Sequence, residues 1–270
     1  MQESPLVSPR LWIIAGTGEG PLLAAALLAL GWRLRVQVVS PEAARAYPPD
    51  PQLEVVADRL DGPADVQARL ADARRRGCPF HWVVDASHPF ATRISAALAE
   101  ACAAMGQPLL RLQRPLAAAP ADRLLVDGAA LAARVRVGER LLLAVGARHL
   151  AALLAPLPAV VAHARLLPRP AALRQALAAG LPCSRIACLP PGRDGRIERA
   201  LCRRWSIDTV VCRQSGGITE ALWQGVCQAD GRRLLLLARP AEPAGVEGLS
   251  MERLLQRLAS AAPGPAWPPP

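Results

Sequence analysis

The 270-residue sequence contains no lysine, because all 32 of its basic residues are arginine. This absence excludes enzymes that form a lysine Schiff base and nucleotide sites of the P-loop type, which need a lysine on the phosphates. The arginines outnumber the 22 acidic residues and give a formal net charge of +10. Because guanidinium groups bind carboxylates and phosphates in a bidentate manner, we expect small polyanions as ligands.

Aromatic residues are also scarce, at 3% of the chain, so the core must be built from Leu, Val, Ile and Ala. The basic residues are not interleaved with aromatic ones, and neither a zinc finger nor a basic-region helix is present. We therefore expect no nucleic-acid partner, despite the positive charge.

The seven cysteines include no CxxC pair, which predicts reduced core thiols in a reducing compartment. Neither an HxxxH spacing nor paired carboxylates occur, so no metal site is expected, and the Gly-x-Ser-x-Gly elbow of many hydrolases is missing. The first residues lack the apolar stretch of a signal peptide, and the longest apolar run, Pro21–Leu30, is too short to cross a bilayer. We expect a cytoplasmic protein without membrane attachment.

Short apolar runs alternate with helical stretches along the chain, which predicts parallel sheets covered by helices. The fold class is α/β, with two successive Rossmann-like domains, each a mainly parallel sheet flanked by helices. The predicted boundaries are 1–115 for the first domain and 116–261 for the second. A proline-rich tail, 262–270, is predicted to be disordered. The predicted strands are Leu11–Ala15, Leu34–Val39, Trp82–Asp85, Leu109–Leu112, Leu141–Val145, Val160–Ala162, Ile186–Leu189, Thr209–Cys212 and Leu234–Ala238.

Three loops follow predicted strands and open helices, and in parallel sheets ligands bind beyond such strand ends. The first loop is Gly16-Thr17-Gly18-Glu19-Gly20, with Pro21 predicted as the first helical residue. Its glycines let the backbone approach a phosphate at a helix N-terminus, although a plain glycine turn would have the same composition. The spacing matches neither the dinucleotide fingerprint nor the Walker pattern.

The end of the second strand bears on the choice of cofactor. An acidic residue there would bind a ribose 2′-hydroxyl, as in NAD sites, whereas Ser40 stands at this position with Arg45 nearby. This pair favours a 2′-phosphate and hence NADPH, while Glu42 favours NADH.

The second loop, Asp85-Ala86-Ser87-His88-Pro89-Phe90-Ala91, follows the Trp82–Asp85 strand. Pro89 is expected to start the next helix and to display Ser87 and His88 at its N-terminus, where an anion binds well and histidine can donate a proton. The alternative is structural, with Ser87 as the helix cap and His88 packed locally.

The third loop is Arg213-Gln214-Ser215-Gly216-Gly217. An arginine, a hydroxyl and two glycines before a helix predict a second phosphate cradle, with a plain turn as the alternative.

Taken in order, the three loops resemble those of the precorrin-6A reductase family, which reduces precorrin-6A or its cobalt complex with a nicotinamide cofactor in corrin ring synthesis. The similarity spans about Leu11 to Pro240 and includes Pro108–Pro115, which is similar to the family's stretch ending in Arg-Pro. It implies two Rossmann-like domains that hold NADPH, or alternatively NADH, and the acidic macrocycle in the cleft between them.

The loops and the resemblance together predict roles for individual residues; the resemblance itself covers Gly16, Thr17 and Glu19 of the first loop and Ser215, Gly216 and Gly217 of the third. His88, with Ser87 beside it, is the candidate for donating the proton or binding a substrate carboxylate. The expected cofactor-binding residues are Gly16, Thr17, Gly18, Glu19, Ser40, Arg213, Ser215, Gly216 and Gly217. The expected substrate-binding residues are Asp85, Ser87, His88, Pro89, Phe90 and Arg114. The substrate is a polycarboxylate tetrapyrrole, and neighbouring enzymes of the corrin pathway are further candidate partners.

Two alternatives remain. The chain has Ala15-Gly16 where the family usually has two glycines, and Arg213 where it often has lysine. These differences raise the alternative of a tetrapyrrole-binding protein without reductase activity. The two-domain architecture alone would also suit a nucleotide-sugar transferase.

Overall fold

The computed structural model describes residues 9–116, 119–192 and 194–261, so the predicted disordered tail lies outside the described residues. The first part of the chain forms β1 (Arg10–Ala15), α1 (Glu19–Ala29), β2 (Arg33–Val38), α2 (Pro41–Ala44), β3 (Leu53–Ala57), α3 (Pro63–Arg75), β4 (Trp82–Ala86), α4 (Thr92–Ala104) and β5 (Leu109–Leu112). The second part forms β6 (Leu124–Leu125), α5 (Gly128–Ala132), β7 (Arg140–Ala144), α6 (Leu150–Leu154), β8 (Val161–Leu166), α7 (Pro170–Ala178), β9 (Ile186–Cys188), α8 (Arg196–Arg204), β10 (Thr209–Arg213), α9 (Ile218–Ala229) and β11 (Arg233–Leu237). The chain ends with β12 (Glu247–Leu249) and α10 (Met251–Ala259).

The strands form two parallel sheets, each flanked by helices. The strand orders are β12-β5-β4-β1-β2-β3 and β6-β11-β10-β7-β8-β9. Each sheet has a central strand, β1 or β7. The two strands that follow it in the chain lie on one side of it, and the next two lie on its other side. The predicted α/β class with two Rossmann-like sheets is confirmed.

The C-terminal residues belong to the first compact unit and not to the second. Unit 1 comprises the chain up to Pro115 and again from Pro240, whereas unit 2 is Leu116–Arg239. The prediction that the second domain continues to residue 261 differs from this division. The physical reason is that β12 pairs with β5, and that Leu254 and Leu258 of α10 are buried in the core of the first sheet.

The apolar runs form strands because both faces of each sheet are covered. In β1, Leu11 and Ile13 pack in one cluster with Leu27 of α1, while Trp12 and Ile14 pack in a second cluster with residues of α3 and α4. Such double burial is typical of parallel sheets and removes the alternation seen in exposed strands. The covered strands leave their carboxyl ends as the edge where loops can hold ligands.

Some local elements differ from the sequence predictions. The half-exposed strand β3 is absent from the predicted strands, and the proline-rich Pro41–Pro51 stretch before it includes the short helix α2. Residues Ala147–His149 form a 3-10 turn, which α6 follows directly. None of the described helices has both the length and the apolar character needed to cross a membrane.

The helix after β1 begins at Glu19, so Pro21 is its third residue and not its first, as the sequence had suggested. Proline is tolerated there because the first amides of a helix have no intrahelical partner. The preceding residue, Gly20, is buried, and a Cβ added to it would lie 2.2 Å from Oη of Tyr47 and 3.0 Å from Cβ of Ala15. Gly20 is therefore fixed by a close approach of the Tyr47 side chain.

We expect Gly20→Ala to lower the free energy of unfolding by about 1–3 kcal/mol, because the added methyl group overpacks the site against Tyr47. The double variant Gly20→Ala/Tyr47→Phe should recover most of the loss, since it removes the oxygen that clashes. Urea unfolding of the three proteins measures both effects.

Gly18→Ala is the matched control, since an added Cβ at Gly18 would meet no described atom within 4 Å and its φ is −65°. Its effect on stability should stay within about 0.5 kcal/mol. Equal losses in the Gly18 and Gly20 variants would show that the Tyr47 contact is not the cause.

Candidate functional site

The loops after β1 and β4 lie side by side in unit 1. These two strands are neighbours, and the order of strands in the sheet reverses between them, with β2 and β3 on one side and β4 and β5 on the other. A Cβ added to Gly16 would lie 3.4 Å from the backbone nitrogen of His88 and 3.5 Å from Cα of Ser87. The first and second predicted loops thus meet at the topological switch point, where ligands bind in folds of this kind.

A buried network of charged and polar side chains supports the second loop. Arg111 is 2% exposed, and its guanidinium donates to Oδ2 of Asp85, to Oε2 of Glu242 and, at 2.6 Å, to Oγ of Ser95. Oγ of Ser95 lies 3.3 Å from Oγ of Ser87. The other oxygen of Asp85, Oδ1, accepts the backbone N–H of Ser87 at 2.9 Å. Arg111, which lies in β5, thus bonds directly to Asp85 and reaches Ser87 through Ser95.

This network bears on two of the predicted ligand-binding residues. Asp85 is 1% exposed and Ser87 is also buried, so both side chains hold the loop in shape rather than project from it. Ser87 does not cap the next helix, because α4 begins at Thr92 with Ala91 as its N-cap and without a side-chain cap. Pro89 accordingly precedes the helix by three residues and does not start it. The substrate-binding roles of Asp85 and Ser87 stay predictions.

His88 is the half-buried member of this loop. Its Nδ1 accepts the backbone N–H of Phe90 at 3.1 Å, and its carbonyl oxygen accepts the N–H of Ala91 at 2.7 Å. Since Nδ1 is an acceptor, the neutral imidazole carries its proton on Nε2. Pro89 and Phe90 are buried beside it, with the rings of His88 and Phe90 5.8 Å apart. These contacts fix the ring of His88 so that Nε2 is its hydrogen-bond donor.

The first loop leaves backbone accessible at the start of α1. Gly16 and Gly18 are exposed and Thr17 is half-buried, and the N–H of Gly20 donates to the carbonyl oxygen of Thr17 at 3.2 Å. Amides of a helix N-terminus in this setting fit a phosphate group. Glu19, however, forms a 2.7 Å ion pair with Arg114. The structure thus brings together one predicted cofactor-binding residue and one predicted substrate-binding residue.

Ser40 ends the turn after β2 and caps α2. Its Oγ accepts the N–H of Ala43 at 3.4 Å, which leaves the hydroxyl hydrogen as a donor. Glu42, in α2, and Arg45, the residue that caps its C-terminus, are both exposed, so a carboxylate and a guanidinium lie near this strand end.

The third loop, after β10, differs from a simple phosphate cradle. Ser215 is buried, and the N–H of Gly216 donates to Oε2 of Glu220 at 2.7 Å. Glu220 is itself buried in the first turn of α9, and its Oε1 accepts from Gln224 at 3.0 Å. A carboxylate of the chain itself therefore accepts the N–H of Gly216 at the N-terminus of α9. The cofactor-binding role expected of Gly216 and Gly217 stays a prediction.

Sequence reasoning missed the loop after β7, which lies beside β10 in the second sheet. Gly146 has a φ of +87°, and a Cβ added to it would lie 3.9 Å from Cζ of Arg213. His149 follows in the same turn, and its pKa is lowered by burial and by the positive charges of Arg213 and Arg148. The signal was available, since Val145-Gly146 repeats the pattern of an apolar strand entering a glycine turn.

Four of the cysteines are buried and are poor candidates for nucleophilic chemistry. Burial raises the pKa of Cys102 and Cys202 to about 11 and that of Cys227 to about 12, and it raises the pKa of Cys212 well above its ordinary value. These four thiols therefore stay protonated near neutral pH and are poor nucleophiles. Across residues 9–116, 119–192 and 194–261, no group of three or more His, Cys, Asp or Glu side chains is arranged to hold a metal ion.

Two parallel sheets, each with glycine-bearing loops where its strand order reverses, define a protein of two Rossmann-like units. A family model described as precorrin-6x reductase CbiJ/CobK matches residues 10–259. The chain belongs to this family and is an oxidoreductase of cobalamin biosynthesis.

Individual relatives agree with the family match. The chain is 34% identical over 236 residues to the cobalt-precorrin-6A reductase of Synechocystis sp., covering 85% of this chain and 88% of that protein. It is 31% identical over 241 residues to the precorrin-6A reductase of Mycobacterium tuberculosis, with coverages of 88% and 91%. A solved structure described as CobK precorrin-6A reductase superposes with a TM-score of 0.72 at 26% identity, covering 93% of this chain and 97% of that chain.

Proposed function

We propose that this protein uses NADPH to reduce precorrin-6A, or its cobalt complex, to the 6B form. Membership of the precorrin-6x reductase family carries the proposal, since curated relatives on both the cobalt-free and the cobalt-bearing branch match more than four fifths of the chain. This membership favours a reductase over the nucleotide-sugar transferase that the architecture alone would also suit.

The first loop supplies the part of unit 1 that fits a nicotinamide dinucleotide. Gly16, Thr17 and Gly18 offer accessible backbone at the start of an eleven-residue helix, where the N–H groups and the helix dipole favour a phosphate. The hydroxyl of Ser40 and the guanidinium of Arg45 lie after the second strand and would bind a 2′-phosphate. This pair is the reason for proposing NADPH rather than NADH.

The proposed substrate is a macrocycle with many carboxylates. In this lysine-free chain, arginine side chains are the cations that would bind them. Arg114 lies against the first loop through its ion pair with Glu19, so a substrate carboxylate could replace Glu19 as its partner. The net charge of +10 also attracts a polyanion before any specific contact forms. Neighbouring enzymes of the same pathway are proposed as partners in handing over the substrate.

When bound, the nicotinamide would supply a hydride to a carbon of the macrocycle, and the adjacent carbon would take up a proton. The chain's part is to align the reactants, exclude water and deliver that proton. We assign to His88 either a hydrogen bond from Nε2–H to a substrate carboxylate or the delivery of that proton, which requires the imidazolium form, whose Nδ1 no longer accepts the N–H of Phe90. The buried network of Arg111, Asp85 and Ser87 holds this imidazole in place.

The test follows the near-ultraviolet absorbance of NADPH and of NADH after mixing with the purified protein and precorrin-6A, with and without cobalt. Substrate-dependent loss of absorbance is expected, faster with NADPH, and the preferred macrocycle identifies the pathway branch. Tight binding of the macrocycle without oxidation of either cofactor would instead identify a tetrapyrrole-binding protein that lacks the reaction.

A further inference from the structure

Unit 1 has a charged cavity that begins at the amino end of its sheet, away from the loops after β1 and β4. The cavity has a volume of about 290 Å³ and is walled by residues of β1, β2, β3 and α3 and of the segment between α3 and β4. Arg10 in its wall is the first residue of β1, the strand whose other end leads into Gly16. Since β1 has six residues, its two ends are about 17 Å apart at about 3.3 Å per residue. The cavity is therefore separate from the loops to which the reductase reaction is assigned.

The cavity exists because one face of β2 is polar. Leu34 and Val36 pack in the core with Leu27 of α1. Arg35 lies between them in the strand, so its side chain points to the opposite face, which α3 covers. Glu54 of β3 is the register partner of Arg35. Two charged side chains thus stand beneath α3 where an apolar core would otherwise form.

Two guanidinium groups form the floor of the cavity. The side chains of Arg10 and Arg35 are only 18% and 22% exposed. Nη1 of Arg10 donates to the carbonyl oxygen of Cys78 at 2.7 Å, and Cζ of Arg10 lies 5.0 Å from the ring centre of Phe80. These contacts hold the Arg10 side chain in place, so little side-chain entropy remains to be lost when a ligand binds.

The floor carries more positive than negative charge. One carboxylate, that of Glu54, lies 3.7 Å from Nη2 of Arg10 and 3.3 Å from Nη1 of Arg35. Both distances exceed the about 2.7–2.9 Å of a strong charged hydrogen bond. Among the residues that the structure describes, Nε of Arg35 is buried and has no hydrogen-bond partner. Glu54 thus pairs loosely with two guanidinium groups, one of which keeps an unused donor.

The α3 side of the cavity is balanced in charge. Arg69 forms ion pairs with Asp58 and Asp65, and Arg76 pairs with Asp72 at 2.9 Å. The excess positive charge of the cavity therefore lies on its floor, between Arg10 and Arg35.

We propose that this cavity binds a small organic dianion between Arg10 and Arg35. A phosphate monoester and a dicarboxylate share the required chemistry, because each presents several anionic oxygens to the two guanidinium groups. The volume is close to the roughly 300 Å³ at which small-molecule pockets begin. Glu54 is half-exposed and loosely paired, so the ligand can take its place at little cost. The ligand is an effector, neither cofactor nor substrate, and the site does not depend on the proposed function.

Calorimetry on the 270-residue chain tests the site with glycerol 3-phosphate and with succinate, and the tighter probe identifies the class of oxyanion. Arg35→Gln should weaken binding of that probe by about 10- to 100-fold, because it removes a charged hydrogen-bond donor. Arg33→Gln is the matched control, since Arg33 lies on the same face of β2 but is exposed and outside the cavity wall. It should bind the probe like the unaltered protein.

Glu54→Gln gives a change in the opposite direction. It removes the carboxylate that competes with the ligand and keeps the shape of the side chain, so the probe should bind about 2- to 5-fold more tightly. Damage to the fold would weaken binding in this variant as well. The direction of the change therefore decides the question even if Arg35→Gln does not fold.

Saturating NADP⁺ should leave the affinity for the probe unaltered, because the loops lie beyond the other end of β1. Displacement of the probe by NADP⁺, equal binding by the two arginine variants, or failure of both probes to bind the unaltered protein would each overturn the proposal. The titrations do not involve turnover. Failure of the reductase reaction would leave them unchanged, and failure of the cavity to bind would leave the reductase proposal intact.

Discussion

Replacing Arg111 with methionine should lower the free energy of unfolding by about 3–5 kcal/mol, because it leaves the carboxylate of Asp85 unpaired in the core. Asp85 is 1% exposed, and both it and Glu242 accept from the same guanidinium. Methionine fills much of the volume but offers no donor to either carboxylate or to Ser95. Urea unfolding of Arg111→Met measures the loss.

Arg75→Met provides the matched control, since Arg75 is paired with Asp72 at 3.2 Å but is 71% exposed. Its loss should stay below about 1 kcal/mol, as is usual for surface ion pairs. Adding Asp85→Asn to Arg111→Met should cost less than the sum of the single changes, because the uncharged amide needs no cation. If Arg111→Met were no worse than Arg75→Met, the buried network would not be what holds the Ser87–His88 turn.

The sequence could have predicted part of this network. Strands β4 and β5 are short apolar runs, and each includes one charged residue, Asp85 or Arg111. Buried charges in proteins are almost always paired, so opposite charges in neighbouring strands suggest a pair. The parallel register indeed places Asp85 beside Arg111. Reading Asp85 only as part of a ligand loop missed this signal.

The role of Glu242 could not be read from the sequence. It lies 131 residues from Arg111 in a segment without regular secondary structure. Its place depends on the pairing of β12 with β5, and a three-residue strand has no periodicity to detect. The sequence likewise assigned this segment to the second domain, because its return to the first sheet is a property of tertiary packing.

The central strands and the positions of the first two loops agree with the structure for a local reason, whereas β3, β6 and β12 were not predicted. A parallel strand buried on both faces must be a continuous apolar run, and the glycine or proline after it marks the carboxyl end. The third loop has the same sequence pattern. Glu220, in the first turn of α9, nevertheless adds a carboxylate that accepts the N–H of Gly216. Local pattern therefore located the loops, while their charge depended on side chains that fold back onto them.

Replacing His88 with alanine should lower kcat by about 10²- to 10⁴-fold if its Nε2 delivers the proton, with little change in stability. The imidazole also has a structural role, since its Nδ1 accepts the N–H of Phe90 at 3.1 Å. An asparagine at this position can accept the same N–H through its side-chain oxygen and so preserve the turn. His88→Ala and His88→Asn therefore separate the shape of the loop from its chemistry.

Steady-state kinetics with NADPH and the preferred macrocycle decide between the roles. Equal loss of kcat in both variants assigns proton delivery to His88, because only the imidazole is missing from His88→Asn. A rise in KM with kcat retained would instead mean that Nε2 binds a substrate carboxylate. If His88→Asn restored the kinetics of the unaltered protein, the imidazole would serve only to shape the turn, and the proton would have to come from another group.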